Sequence, residues 1–254
     1  MAEKLSEKDI ENINIEGTEQ YAVMPLRNTV LFPQQVIPIY IGREKSLKLI
    51  SDIELEKRKY IIVVAQEDGS IEDPTIEDLY SYGTLATVLK VFAMPDNSKS
   101  AIVQGIARVK ILDYLSKEPY FKAAASKISD EPISDQLEID EIVENLRTSF
   151  SDLIKVAPNL TEEHTGMLSN IKKPNRLVDR AVSLMTLPNQ EKQEILEEVN
   201  IKNRIDKAIS IINREIQRIK LGEEIQTEVH DEIAKTQREY YLREQMKAIQ
   251  KELG

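Results

Sequence analysis

Three serine–lysine neighbours, Ser98-Lys99-Ser100, Ser116-Lys117 and Ser126-Lys127, set a nucleophile beside a base. Such a pair works only when the lysine is buried and deprotonated. Adjacent residues of a strand point to opposite faces, so these positions read as ordinary solvated ones. The chain has two histidines, His164 and His230, and no cysteine. Disulfides, thiolate sites, cysteine nucleophiles and multi-histidine metal sites are therefore excluded. His164 follows Thr161-Glu162-Glu163, a helix start with Thr161 as N-cap. His230 sits among Glu228, Asp231 and Glu232, a solvated face. No G-x-x-x-x-G-K-[ST] loop and no G-x-S-x-G elbow occurs, and the eight glycines are scattered. The sequence thus predicts no catalytic residue, no metal site and no bound cofactor.

Two other stretches carry binding chemistry. Glu67-Asp68, Glu72-Asp73 and Glu77-Asp78 form an acidic tract with no lysine or arginine and without EF-hand spacing. It reads as an exposed loop that repels nucleic acid and attracts basic partners. The segment from Val30 to Pro38 is apolar yet broken by Pro33 and Pro38. Proline cannot donate to a central ladder, so part of this stretch belongs at an edge or in a loop. An apolar loop there can grip hydrophobic segments of another polypeptide. The candidate contacts are Phe32, Pro33, Val36, Ile37 and Pro38, with Met94 and Pro95 at a nearby hairpin tip. The plainer reading is that Leu31, Phe32 and Ile37 cap the core of a sheet.

The elements that must position these residues follow from hydrophobic periodicity and breakers. Residues 1–19 are polar and aperiodic, a flexible leader. Strands are expected at 21–24, 36–41, 60–65, 83–93, 100–111 and 120–128, separated by proline- and glycine-containing turns. Met94-Pro95-Asp96-Asn97-Ser98 predicts a hairpin, and Gly105 inside a strand predicts a bulge or bend. One helix, about 44–57, interrupts the strands, with Leu47, Ile50 and Leu55 as its buried stripe and Ile53 near the edge. Residues 20–128 thus form a β-rich domain with one helix. Residues 129–200 form a helical subdomain, with helices at about 135–156, 161–170, 175–186 and 189–198 bounded by Pro158, Pro174 and Pro188. The fold class is α+β.

Residues 201–254 predict one long helix. Ile205, Ile209, Ile212, Ile216 and Ile219 recur at alternating four- and three-residue steps, a seam on one face. The period slips after Gly222 and resumes at Leu242, Met246 and Ile249. A helix of this length spans ~78 Å, whereas a compact body of ~200 residues is about 40–45 Å across. The overhang requires a partner, either another copy of the chain or a further domain. The abrupt stop at Glu252-Leu253-Gly254 reads as a fragment boundary.

Of the 254 residues, 41% are hydrophobic and 31% charged, and the net charge is −10. That composition supports a sizeable core but disfavours nucleic-acid binding, which depends on neutralising phosphates. The longest apolar run, Tyr60 to Ala65, is far short of the ~20 residues of a membrane span. A soluble, cytoplasmic protein without membrane or nucleic-acid partners is expected.

Pro25-Leu26-Arg27-Asn28, Phe32-Pro33, Pro38 and Gly42-Arg43-Glu44-Lys45-Ser46 resemble the opening of the N-terminal domain of Lon proteases. Val64-Ala65-Gln66, Asp78-Leu79-Tyr80, Gly83-Thr84, Pro95-Asp96, and Gly105 with Arg108 continue the pattern in order. The end, from Gln237 to Gly254, resembles the family's segment leading into its ATPase module. The resemblance implies a PUA-like β domain, a helical bundle and a long helix. It implies that this region recognises unfolded, damaged or regulatory proteins and helps organise a hexamer. The ATP, the Mg and the serine–lysine dyad would belong to ATPase and protease modules that this sequence lacks. An oligomerisation strut acting through Ile205, Ile209, Ile212, Ile216, Ile219, Leu242, Met246 and Ile249 is the alternative. Some PUA-like domains bind RNA, but the net charge and the acidic tract argue against that here.

Overall fold

A computed structural model describes residues 20–56, 60–131 and 135–254. The proposed leader, residues 1–19, lies outside the described residues. The chain order is β1 (Gln20–Leu26), β2 (Val36–Ile41), α1 (Glu44–Leu55), β3 (Tyr60–Ala65), a 3₁₀ turn (Ile76–Asp78), β4 (Tyr82–Ala93), β5 (Lys99–Ser116) and β6 (Lys122–Lys127). Helices α2 (Gln136–Val156), α3 (Glu162–Ser169), α4 (Pro174–Leu184), α5 (Asn189–Glu197) and α6 (Ile201–Glu252) follow. The mixed α+β class and the long C-terminal helix agree with the sequence.

The sheet order is β2-β5-β4-β3-β1-β6, and β6 also pairs with β5. Strands β1, β3, β4, β5 and β6 therefore close into a ring, which removes most free edges. Strand β5 is long enough, at 18 residues, to pair with β4 along one edge and serve two partners along the other. Its first part pairs with β2 and its second with β6. Tyr21, Val23, Ile62, Val64, Leu85, Val109 and Ala123, from all five ring strands, pack inside. The alternate residues, among them Met24, Ile61, Val63, Val88 and Val103, pack with β2 and α1. Strand β3 is covered on both faces, which is why it reads as an unbroken apolar run.

Helix α1 differs from its expected stripe. Leu49, Ile50 and Ile53 are buried, whereas Leu55 is 87% exposed. The helix ends at Leu55, where the chain turns out into an extended cap at Glu56. At ~100° per residue Leu55 also stands ~140° around the helix from Ile50, off the face that packs on the sheet. The hairpin at 94–98 forms, with Met94 N–H donating to the Ser98 carbonyl at 2.9 Å and Asn97 at φ 63°. The bulge forms too, since the β4–β5 register shifts between Leu85, paired with Ala107, and Ala86, paired with Gly105.

Prolines set the helical punctuation. Pro174 is the first residue of α4, where its missing N–H costs nothing. Pro188 caps α5, and Pro158 follows the end of α2. The helices share one core that includes Leu146, Phe150, Leu177, Val182 and Ile195. The upstream seam of α6 joins that core within the same chain. Ile205 and Ile212 are fully buried, and Ile209, Ile216 and Ile219 pack half-buried beside them. From Lys220 onward every residue is exposed. Residues 221–252 thus extend α6 by ~48 Å beyond its bundle. The helix runs unbroken through Gly222, where an added Cβ would meet nothing within 4 Å.

Candidate functional site

The loop between β1 and β2 is held against the ring by its backbone. Gln34 N–H donates to the Gly105 carbonyl at 3.0 Å, and Gly105 N–H donates to the Gln35 carbonyl at 2.9 Å. Gln35 N–H returns to the Phe32 carbonyl at 3.2 Å, and Phe32 N–H donates to Gln35 Oε1 at 3.0 Å. The Thr84 hydroxyl donates to the Leu31 carbonyl at 2.5 Å. A Cβ on Gly105 would stand 2.2 Å from the Phe32 carbonyl oxygen. Only glycine lets the loop approach this closely. Gln34 takes the left-handed conformation, φ 68°, a strain held in place by these bonds.

This loop forms one wall of a groove of about 630 Å³. The wall comprises Phe32, Pro33, Gln34, Gln35 and Val36. The facing wall comes from the α3–α4 turn and α4: residues 170–173, Arg176, Asp179, Arg180 and Ser183. The volume lies within the ~300–1,000 Å³ range of ligand clefts.

The two walls are fixed by a buried ionic cluster beneath them. Arg108 of β5 makes two hydrogen bonds to the Asp179 carboxylate of α4, at 2.9 and 2.5 Å, and donates from Nε to the Leu196 carbonyl at 2.9 Å. Arg204 of α6, fully buried, lies 3.6 Å from the same carboxylate. It also donates to Asp130 at 2.5 Å and to the Glu198 carbonyl at 2.7 Å. Asn175 Nδ2 completes Asp130 at 2.7 Å. Burial alone would raise the Asp130 carboxyl, but Arg204 and Arg108 outweigh it and hold the group below its ordinary value. Gln193 and Asn189 of α5 add bonds to the Tyr82 and Arg27 carbonyls of the β domain. A single strand residue, one helix and the start of the long helix thus meet at one carboxylate.

The structure separates the seven apolar candidates by face. Strand β2 alternates. Val36, Pro38 and Tyr40 face out, while Ile39 and Ile41 are buried and Ile37 packs half-buried against the core. Phe32 is 1% exposed and belongs to the helical core with Val30. Phe32 and Ile37 thus take the plainer of their two expected places, packed inward, because the helical unit covers the loop and the pleat turns Ile37 inward. Pro33 is half-buried on the groove wall, and Val36 is 39% exposed. Met94, 42% exposed, and Pro95 lie at the other end of β2. The β2–β5–β4 register aligns Tyr40, Ser100 and Phe92 there. The exposed candidates form a strip along β2 that runs from the groove to the hairpin.

The other candidate chemistries do not assemble. Lys99 Nζ donates to Glu54 at 2.9 Å and to Ser51 at 3.1 Å, while the Ser98 hydroxyl donates to Asp96. The lysine amine is turned to Glu54 and Ser51, not to its serine neighbour. His164 Nδ1 accepts from Thr161 N–H in a capping box. Among the described residues, no group of three or more histidine, aspartate or glutamate side chains is placed to hold a metal ion. The downstream seam residues Leu242, Met246 and Ile249 are exposed. The ionic cluster was missed in the sequence, although Arg108 stood out as a motif residue.

A closed β ring, a helical unit bolted to it and a groove between them define a binding module. The chain belongs to the family described as the ATP-dependent protease La (LON) substrate-binding domain, whose model matches residues 20–214. It is 40% identical over 236 residues to a Lon protease of Dictyoglomus thermophilum, covering 93% of this chain and 29% of that protein. It is also 40% identical over 233 residues to a Lon protease of Koribacter versatilis, covering 91% of this chain and 28% of the relative. The chain therefore spans about 29% of the length of such relatives. The matched part is the substrate-binding domain, not the protease domain. The solved N-terminal domain of Mycobacterium avium complex Lon protease shares the fold at TM-score 0.63 and 18% identity, covering 77% of this chain and 98% of that one. A Lon N-terminal domain protein from Xanthomonas campestris does so at 0.53 and 15%, covering 76% and 98%.

Proposed function

We propose that this chain is the substrate-recognition and assembly region of an ATP-dependent Lon protease, acting in the cytoplasm. It binds unfolded, damaged or regulatory proteins and presents them to an ATPase and protease core that supplies ATP, Mg and the serine–lysine dyad. In this reading residues 20–128 and 129–200 hold the client between them, and 201–254 lead toward the core. No nucleic-acid or membrane partner is invoked; among the described residues no helix is long and apolar enough to cross a membrane. The observation that carries the reading is the apolar strip of Val36, Pro38 and Met94, exposed beside a groove in a domain of the substrate-binding family. The test is a titration of the chain into a labelled, permanently unfolded client such as reduced casein, with ATP and client hydrolysis monitored in parallel. Saturable binding without hydrolysis supports the proposal. Hydrolysis of either, or no binding, defeats it.

A second reading rests on α6. Leu221, Ile225, Val229, Ile233, Leu242, Met246 and Ile249 leave an apolar row exposed along the overhang. In this reading other copies of the chain pack there, as a hexamer of the whole protein would require. Sedimentation over a concentration series tests self-association of the chain alone.

A further inference from the structure

The groove is charged opposite to the protein that carries it. The chain as a whole has a net charge of −10. The groove wall on the α4 side nonetheless presents Lys172, Lys173, Arg176 and Arg180. Lys173 and Arg176 already engage other groups of the chain, so the argument rests on the remaining two. Lys172 is exposed. Arg180 is half-buried and reaches the Met167 sulfur at 3.9 Å. The one carboxylate in the lining, Asp179, is taken up by Arg108 and lies 3.6 Å from Arg204. It does not neutralise the rim. Across from these cations stand Pro33 and Val36, with Ile171 at the near end.

We infer that this groove takes an extended polypeptide segment in which acidic side chains stand next to apolar ones. The inference rests on the substrate-recognition reading and names the client class for it. Apolar side chains fill the Pro33–Val36 wall, and carboxylates meet Lys172 and Arg180. Charge on a rim of this kind governs which partners enter and how fast, more than total affinity. A nucleic acid fits less well. The aromatic ring of this lining, Phe32, is buried, so no stacking platform is offered. The acidic tract at 67–78 adds repulsion for a polyanion long enough to reach it.

The experiment is fluorescence anisotropy of the chain with three short labelled peptides that share apolar residues. They carry glutamate, serine or lysine at the alternating positions. The glutamate peptide is expected to bind about tenfold tighter than the lysine peptide. It should weaken several-fold as salt rises from roughly 0.05 to 0.3 M. The double variant Lys172→Glu, Arg180→Glu should weaken the glutamate peptide about tenfold and reverse the preference. Neither side chain has an ion-pair partner among the described residues, and thermal unfolding of the variant separates loss of the Arg180–Met167 contact from loss of binding. If glutamate and serine peptides bind equally, or the double variant changes nothing, the charge inference is overturned while client recognition stands. If no peptide binds, both fall. Tighter binding of polyphosphate or RNA than of the glutamate peptide at equal salt, lost in the same variant, would assign the groove to another polyanion and overturn the proposal.

Discussion

Arg108 of the β ring grips Asp179 of helix α4 through both carboxylate oxygens, with each side chain 5% exposed. A buried pair of this kind is poor evidence of net stabilisation, but breaking it strands a charge in the interior. Arg108→Ala or Asp179→Ala is expected to cost about 3–5 kcal/mol. The double variant should cost less than the sum of the two, which marks direct coupling. Urea unfolding of the four proteins checks this, and strict additivity would refute the coupling.

Acid should loosen the same cluster. Burial works against the Asp130 carboxylate, but Arg204 and Arg108 prevail and depress its pKa in the folded chain. A depressed folded value contributes stability that is present above the unfolded pKa of about 3.9. That contribution is lost as pH falls through the folded value. Stability is therefore expected to drop below about pH 4, and Asp130→Asn should flatten the drop. Denaturant midpoints of both proteins between neutral and acid pH provide the comparison; parallel curves would exclude Asp130 as a source.

Phe32 and Val36 should separate fold from binding. Phe32→Ala removes a ring from the helical core and is expected to cost about 3–5 kcal/mol. Val36→Glu with Met94→Glu alters exposed positions and should change stability by no more than about 0.5 kcal/mol each. In the proposed function the exposed pair weakens client binding at unchanged stability. Thermal unfolding and client anisotropy, measured together, decide between the roles.

Gly222 offers a cheap gain. Nothing lies within 4 Å of an added Cβ, and the helix is continuous there. Gly222→Ala should raise α6 helicity and stabilise the helix by up to about 1 kcal/mol. Circular dichroism during heating reads the effect. A loss of helicity would mean that the position must bend.

The sequence exposed the parts of the fold that are locally encoded. Tyr60 to Ala65 reads as a strand because apolar β-branched residues cover both faces. Pro174 and Pro188 mark helix starts through their missing donors. Ring closure through β6 pairs residues roughly a hundred positions apart, and no local pattern records it. The same holds for Arg108 and Asp179, which stand 71 residues apart. A buried arginine gives no periodic signal, so Arg204 reads as one more polar position on α6. The sequence leaves Phe32 open between surface and core for a related reason. An apolar loop between prolines looks exposed until a helical unit far downstream covers it. Leu55 differs at the opposite scale: at ~100° per residue it stands on the far side of α1 from the buried Ile50 and Ile53.

Hydrogen–deuterium exchange of the chain with and without saturating unfolded client tests the central claim most directly. The account predicts slowed exchange at residues 33–41 and 90–98 and along 170–180, with 221–252 unchanged. Protection confined to 221–252, or absent from the groove and the β2 strip, would contradict it.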